Sequence, residues 1–401
     1  MSMLTGIRVV DFTQYLAGPT VTRLMAEMGA DVVKVEQAPG GDPSRLLPLR
    51  IRDRSLYYIQ QNRGKKSVCV DFAKPEATAL LVELAAGADV VVENYGPGVL
   101  EKRGLDYASL VKRNPRLIMA SISAFGRTGP LAHKVGFDLI AQAFSGLMSM
   151  TGDPNGPPSW VGLAIADVQS GVHAFGAVGY ALFHRERTGQ GQHIDVSMVD
   201  ALYHCHEGNV QFYANSDGAI QPTRHGSQHG LVGPMGVYKA AQGWIVLLVL
   251  ERQWESFCRA LGQPGLATDS RFATGALRGQ NKAELTAIIE AWLARQASDD
   301  AALAVFEQHR VAAAPVLSVK DTVSHPYYAA RDMVRRVPDP VLGEVTIPGF
   351  PFKFGAIPEL PELRAPLLGE HNAQVLRERL GLDPARIAAL SASGVLVTGT
   401  T

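Results

Sequence analysis

Over its first 200 residues the chain repeats one alternation, a short run of β-branched and apolar residues followed by a longer stretch with helical periodicity. Ile7–Phe12 is the first such run, and a helix is predicted across Pro19–Met28. Asp31–Glu36 (Asp-Val-Val-Lys-Val-Glu) is a second strand, and Lys66–Asp71 alternates like a third. Pro75 opens a helix that runs to Ala86, since proline fits the first helical turn. Asp89–Asn94 and Leu117–Ile122 are two further buried strands. Short β-rich runs separated by helical stretches predict a largely parallel sheet covered by helices.

The pattern changes after about Gln221. Arg224–Gly236 is a loop rich in glycine and histidine, followed by the apolar run Trp244–Leu250 and helices over Arg252–Leu261, Lys282–Arg295 and Ala301–Gln308. We expect a smaller domain over 221–330. It is inserted between a first part of the large domain at 1–220 and a return to it at 331–401. Val345–Phe354 and a helix at Asn372–Leu380 belong to that return. The residues from about Ser391 are expected to be loosely held.

Composition narrows the class of partner. The chain has 401 residues, 46% hydrophobic and 19% charged, enough for two globular domains. Lys plus Arg equals Asp plus Glu at 38 each, so no basic field favours nucleic acid. No uncharged apolar run is long enough to span a membrane, and Met1 leads straight into the first strand, so no signal peptide is expected. Cys69, Cys205 and Cys258 are scattered and odd in number. They predict no disulfide framework and fit a reducing, cytoplasmic setting.

One acidic residue stands at a telling junction. Asp167 lies in Gly162-Leu-Ala-Ile-Ala-Asp-Val-Gln-Ser-Gly171, where small and apolar residues meet a helix running through His173 to Phe183. Two readings are open. Asp167 caps the helix by accepting its free N–H groups, or its carboxylate, held dry and close to an activated acyl group, acts as a nucleophile.

Other signals are weaker. His204-Cys-His-Glu207 places its histidines two apart, which share no helical face, and His225 and His229 sit in a glycine-rich loop, so no metal is expected. Ser145 and Ser170 lack the Gly-x-Ser-x-Gly elbow of a hydrolase. Neither Ala17-Gly-Pro19 nor Ala38-Pro-Gly-Gly41 forms the Gly-x-Gly-x-x-Gly of a nicotinamide or flavin site.

Several segments together resemble one family. Leu4-Thr-Gly-Ile-Arg-Val-Val-Asp-Phe12 with Ala17-Gly-Pro19 looks like the opening of the class III coenzyme A transferases (the CaiB/BaiF type, which includes formyl-CoA transferase-like enzymes). Gly29–Glu36, Asn62–Ser67, Glu93–Gly98 and Arg185–Gly191 are similar to later segments, and Arg364-Ala-Pro-Leu-Leu-Gly-Glu-His371 matches the closing signature. The resemblance spans roughly 4–380 in one order.

It implies an α/β fold, a Rossmann-like large domain with a parallel sheet plus a smaller α+β domain, in an interlocked homodimer whose chains thread through each other. The connections Gln211–Arg224 and Val316–Arg335, with Pro222, His325-Pro326 and Tyr327-Tyr328, read as extended, packed linkers suited to such a ring. By the same resemblance Asp167 is the nucleophile of an acyl-CoA:carboxylate CoA-transferase working through an aspartyl anhydride and an aspartyl-CoA thioester. Acyl-CoA and a carboxylic acid are substrates, and no permanently bound cofactor is implied.

CoA contacts are implied for Gln14, Leu16, Ala17, Val70, Asn94, Tyr95 and Lys134. At Gln37 the family often has Arg, and Lys102 and Arg103 occupy the region of another phosphate-binding Arg. Gly230, Gly233 and Gly236 correspond to a glycine loop that closes over the intermediate in some members, and Pro234 between them suggests a stiffer lid; a plain interdomain turn is the other reading. The family also holds 2-methylacyl-CoA racemases, which carry a His where this chain has Phe137. A racemase needs two acid/base groups, so Phe137 favours transfer, with epimerisation as the alternative and His133 the nearby histidine. A CoA-binding regulatory protein with a dead site is a third reading, against which the intact Asp167 junction weighs.

Overall fold

The structure is a computed structural model and describes residues 2–356 and 363–400. Six strands form one sheet: β1 (Arg8–Phe12), β2 (Asp31–Gln37), β3 (Lys66–Val70), β4 (Val90–Glu93), β5 (Ile118–Ser123) and β6 (Gln192–Ser197). All neighbours are parallel, in the order β3-β2-β1-β4-β5-β6. The chain winds from β1 to one edge, returns, and winds from β4 to the other. Such an order leaves a crevice at the carboxyl ends of β1 and β4, where the winding reverses. The expected parallel sheet is therefore present. It contains one strand that the hydrophobic pattern does not reveal: β6 mixes Gln192, His193, Asp195 and Ser197 with two apolar residues, and Gln192, His193 and Asp195 are exposed.

The helices of the same unit are α1 (Ala17–Glu27), α2 (Leu56–Asn62), α3 (Pro75–Ala86), α4 (Asp138–Phe144), α5 (Ile165–Thr188), α6 (Asn372–Leu380) and α7 (Pro384–Ala392), together with shorter turns. Val10, Val33, Val35, Val68 and Val91 from the sheet share one core with Leu81 and Leu84 of α3 and Leu376 of α6. α1 and α5 approach so closely at Gly171 that a Cβ there would lie 2.6 Å from the Ala17 carbonyl oxygen.

The chain end is not loosely held, contrary to expectation. Asp71 N–H donates to the Val395 carbonyl at 2.9 Å and Val397 N–H to the Cys69 carbonyl at 3.0 Å, while Leu390, Val395 and Leu396 are buried. The tail pairs with the β3 edge, and that pairing satisfies backbone groups an edge strand would otherwise expose.

The chain divides into two compact units, one made of Met1–Ser145, Gly162–Glu207 and Pro326–Thr401, the other of Gly146–Val161 and Gly208–His325. The smaller unit thus differs from 221–330 at both ends: it adds Gly146–Val161 and begins at Gly208, and it stops at His325, leaving Pro326 onward to the larger unit. Gly146–Val161 belongs to it because Gly226 N–H donates to the Gly152 carbonyl at 3.0 Å and Arg224 donates to the carbonyls of Asp153 and Gly156. Its sheet is antiparallel, β7 (Met235–Lys239), β8 (Trp244–Leu248) and β9 (Ala312–Pro315), with β8 in the centre. Ile245 and Leu247 face a core with Phe257, Ile289 and Phe306, whereas Trp244 and Val246 on alternate positions are exposed.

The two connections read as extended linkers contain helices instead. Asn209–Ala214, Val319–Ser324 and Pro326–Ala330 are helical. Ser318 and Asp321 form a capping box that starts the second of these. His325 ends it in extended backbone, as a residue before proline must, and Pro326 begins the next.

Candidate active site

Asp167 occupies the first turn of α5. The residue at the cap position, Ala164, has no side chain able to bond the free N–H groups. Asp138, from the first turn of α4, does so instead: its Oδ1 accepts from Ala166 N at 2.7 Å and from Asp167 N at 3.2 Å. Its Oδ2 accepts from Gln142 Nε2 at 2.6 Å, and Gln142 also donates to the Leu163 carbonyl at 3.2 Å. The cap reading of Asp167 is thereby answered. Another carboxylate caps its helix, and the Asp167 side chain makes no hydrogen bond or ion pair among the described residues.

The electrostatics follow from that arrangement. Burial first, and then the charge of Asp138, push the Asp167 carboxyl up from 3.8 to about 7. Tyr57 of α2 stands in the same field. Burial and then the charges of Asp167, Asp42 and Asp138 hold its phenol protonated far above its usual range. Phe137, where a racemase has His, is exposed and supplies no proton-transfer group.

The CoA positions implied by resemblance fall mostly along adjacent strand ends. Val70 ends β3, Gln37 ends β2, Gln14 follows β1 and Asn94 follows β4, which is one contiguous stretch of the sheet's carboxyl edge. Gln14 and Asn94 bond each other across the crevice: Gln14 N–H donates to Asn94 Oδ1 at 2.8 Å, and Asn94 Nδ2 donates to the Gln14 carbonyl at 2.9 Å. α5 reaches the same place. Asp167 lies four residues before Gly171 on one helical face, and Gly171 is where α5 touches Ala17.

Leu16, Ala17 and Val70 are buried, while Gln37 is exposed and Tyr95 half-buried. A cavity of about 290 Å³ is lined by Gly96, Pro97 and Glu101, between Tyr95 and Lys102, and by His133, next to Lys134. Lys102 and Lys134 are exposed cations at its borders. Arg103 is tied down, with Nη1 donating to the Val99 carbonyl at 2.7 Å and its guanidinium 5.4 Å from the Phe72 ring centre. On the cavity floor Arg127 is paired with Glu93 at 2.5 Å.

Gly230 and Gly233 lie in a loop of the smaller unit held at several points, whereas Gly236, expected in the same loop, is part of strand β7 and pairs with Leu247. The buried Arg278 donates from Nε to the Gly233 carbonyl at 2.8 Å, His229 N–H donates to the Met235 carbonyl, and Val249 N–H donates to the Pro234 carbonyl. Among the described residues no group of three His, Cys, Asp or Glu could hold a metal, and no helix is long and apolar enough to cross a membrane.

Asp138 and Tyr57 are the site residues that sequence reasoning missed. Asp138 stands beside Phe137 in a segment already singled out, but only the three-dimensional contact shows it capping a helix 28 residues away. Nothing local marks Tyr57.

Comparison with known proteins gives this geometry its context. The sequence model of CoA-transferase family III matches residues 4–372. The succinyl-CoA:glutarate CoA-transferase of Mus musculus is 35% identical over 99% of this chain and 91% of its own. The succinyl-CoA:mesaconate CoA-transferase of Haloarcula hispanica is 40% identical over 94% of this chain and 96% of its own. The crystal structure of a CaiB/BaiF family protein from Brucella suis superposes with a TM-score of 0.83 at 36% identity, covering 94% of this chain and 99% of that one. With the family matched along nearly its whole length, the chain belongs to CoA-transferase family III.

Proposed function

We propose that this CoA-transferase moves CoA from a short dicarboxylic acyl-CoA to a second dicarboxylate, with Asp167 as nucleophile. The observation that carries the mechanism is the Asp167 carboxylate itself, placed in the first turn of a helix whose cap is supplied by another residue. The dicarboxylate class is supported by the relatives' names, glutarate and mesaconate both being short dicarboxylic acids.

The Asp167 carboxylate attacks the thioester carbonyl and expels CoA thiolate, leaving a mixed anhydride. The thiolate attacks the aspartyl carbonyl of that anhydride, and the donor acid leaves with the electron pair of the broken acyl–oxygen bond. The enzyme then holds CoA as an aspartyl thioester. An acceptor carboxylate attacks this thioester and expels the thiolate, giving a second anhydride. Attack of the thiolate on its acceptor carbonyl releases the new acyl-CoA and regenerates Asp167. Each step exchanges acyl groups of comparable activation, which replaces one difficult displacement by several balanced ones. Tyr57, whose phenol is held protonated by burial and the charge of Asp167, is the hydrogen-bond donor we assign to the oxyanion.

The test is CoA exchange from succinyl-CoA among small mono- and dicarboxylates. Asp167→Ala is expected to lower the rate by at least about 10³-fold while leaving the fold intact, a loss of the size seen when a covalent nucleophile is removed. Hydroxylamine added with acyl-CoA should yield a hydroxamate at Asp167, read by peptide mass. Near-normal exchange in the alanine variant would refute the mechanism. Rapid exchange of solvent deuterium into the α-carbon of a 2-methylacyl-CoA, without transfer to any acid, would establish epimerisation instead.

A further inference from the structure

We infer that Lys34 and Asp42 are positioning residues that hold the Gln14 turn in its working conformation. The inference rests on the CoA-transferase reading, in which the Gln14 turn meets the acyl-CoA. Thr13, Gln14 and Tyr15 join β1 to α1, and their backbone groups are met by side chains drawn from separate places in the chain. Thr13 N–H donates to Asp11 Oδ1 at 2.8 Å. The Thr13 carbonyl accepts from Lys34 Nζ at 2.8 Å. Both backbone groups of Gln14 pair with Asn94. Tyr15 N–H donates to Asp42 Oδ1 at 3.2 Å.

Lys34 and Asp42 act together in this. Lys34 Nζ lies 2.8 Å from Asp42 Oδ2, and both side chains are fully buried. The pair grips the turn on either side of Gln14, at the carbonyl before it and at the N–H after it. The grip is needed because Tyr15 has φ +61°, a left-handed conformation that a tyrosine rarely adopts without outside restraint. Asp42 is fixed in turn, its N–H donating to Glu36 Oε2 at 2.9 Å and its Oδ1 also accepting from Ser44 N. A buried ion pair adds little net stability compared with apolar residues of the same volume. What this one adds is geometry: it fixes a turn that bonds across the crevice to Asn94 and leads directly into Ala17, where α1 meets the nucleophile's helix.

Lys34→Met is the direct test, since it keeps the bulk of the chain and removes the donor. CoA exchange from succinyl-CoA to glutarate is measured for wild type, Lys34→Met, Gln14→Ala and the double variant. We expect Lys34→Met to lower kcat on the order of 10–100-fold, the scale of a reacting group displaced by about 1 Å, with the KM for succinyl-CoA changed less than about threefold. In the Gln14→Ala background the same substitution should cost less than about threefold, because the Gln14 side chain, which the held backbone turn presents to the acyl-CoA, is already gone. Equal loss in both backgrounds would overturn the inference, as would a loss confined to KM; a merely structural role gives the former. Asp42→Asn, near-isosteric, carries the same comparison if the methionine variant does not fold. Absence of exchange in the wild type with every acid tried would fault the CoA-transferase reading rather than this one.

Discussion

A carboxylate in the first turn of a helix is ordinarily helped to ionise, because the helix dipole and the free N–H groups favour negative charge there. Asp167 loses that help to Asp138, which takes the N–H groups of Ala166 and Asp167 and adds a like charge of its own. With burial the larger cause, the carboxyl is raised from 3.8 to about 7. In the mechanism proposed above only the carboxylate attacks, so kcat/KM should climb as pH rises through about 7. Asp138→Asn keeps an oxygen for the cap and removes the charge, so it should shift that limb to lower pH; a limb that stays put or moves up would contradict the coupling. Stability follows the same sign. Above 3.8 the unfolded chain ionises this group while the folded chain keeps its proton, so the folded state loses stability as pH rises towards 7. Asp167→Asn should therefore raise the melting temperature at pH 8 and leave it unchanged at pH 3, where the acid is neutral in both states.

At the scale of elements, the site depends on how closely α1 and α5 approach. A Cβ at Gly171 would meet the Ala17 carbonyl oxygen at 2.6 Å and Thr20 Cβ at 2.8 Å, and the first of these is backbone that cannot rotate away. Gly171→Ala should cost about 1–3 kcal/mol, the usual range for overpacking. It should also lower CoA exchange, because α1 carries the Gln14 turn; unchanged melting and rate would show that the helices separate freely. This contact shows where sequence stops being informative. The five apolar runs from Ile7 to Ile122 were legible as parallel strands because a buried strand writes its burial into β-branched residues. β6 was not, since its exposed, polar residues resemble a loop. The junction at Asp167 was legible as a choice between cap and nucleophile. The residue that caps this helix, Asp138, comes from another helix, and Lys34 reads in the sequence as one charge inside a strand. The tail at Val395–Val397 looked free because its partner, the β3 edge, lies more than 300 residues earlier.

At the scale of the whole molecule, the outward side of the larger unit is unusually apolar. Phe144 of α4 is 60% exposed, and Tyr180 and Phe183 of α5 are 79% and 59% exposed, with Leu139, Ile140 and Val172 exposed on the same two helices. A sheet-covering helix of a monomer presents charged and polar residues to water, and several large exposed apolar side chains on two helices point to a protein–protein interface. We propose that a second copy of the chain covers it, in the interlocked homodimer the family resemblance implies. Chains threaded through each other bury far more surface than two docked monomers and cannot part without unfolding, so a folded monomer should be scarcely populated. Sedimentation should give a species of about 86 kDa, twice the 43.0 kDa chain, that persists on dilution to nanomolar concentration. Phe183→Glu, which places a charge in the covered face, should lower the yield of folded protein rather than release a folded monomer. A reversible, folded monomer at micromolar concentration in the wild type would overturn the interlocked arrangement and leave the aspartyl chemistry standing, because Asp167, Asp138, Tyr57 and the Gln14 turn all come from one unit of one chain.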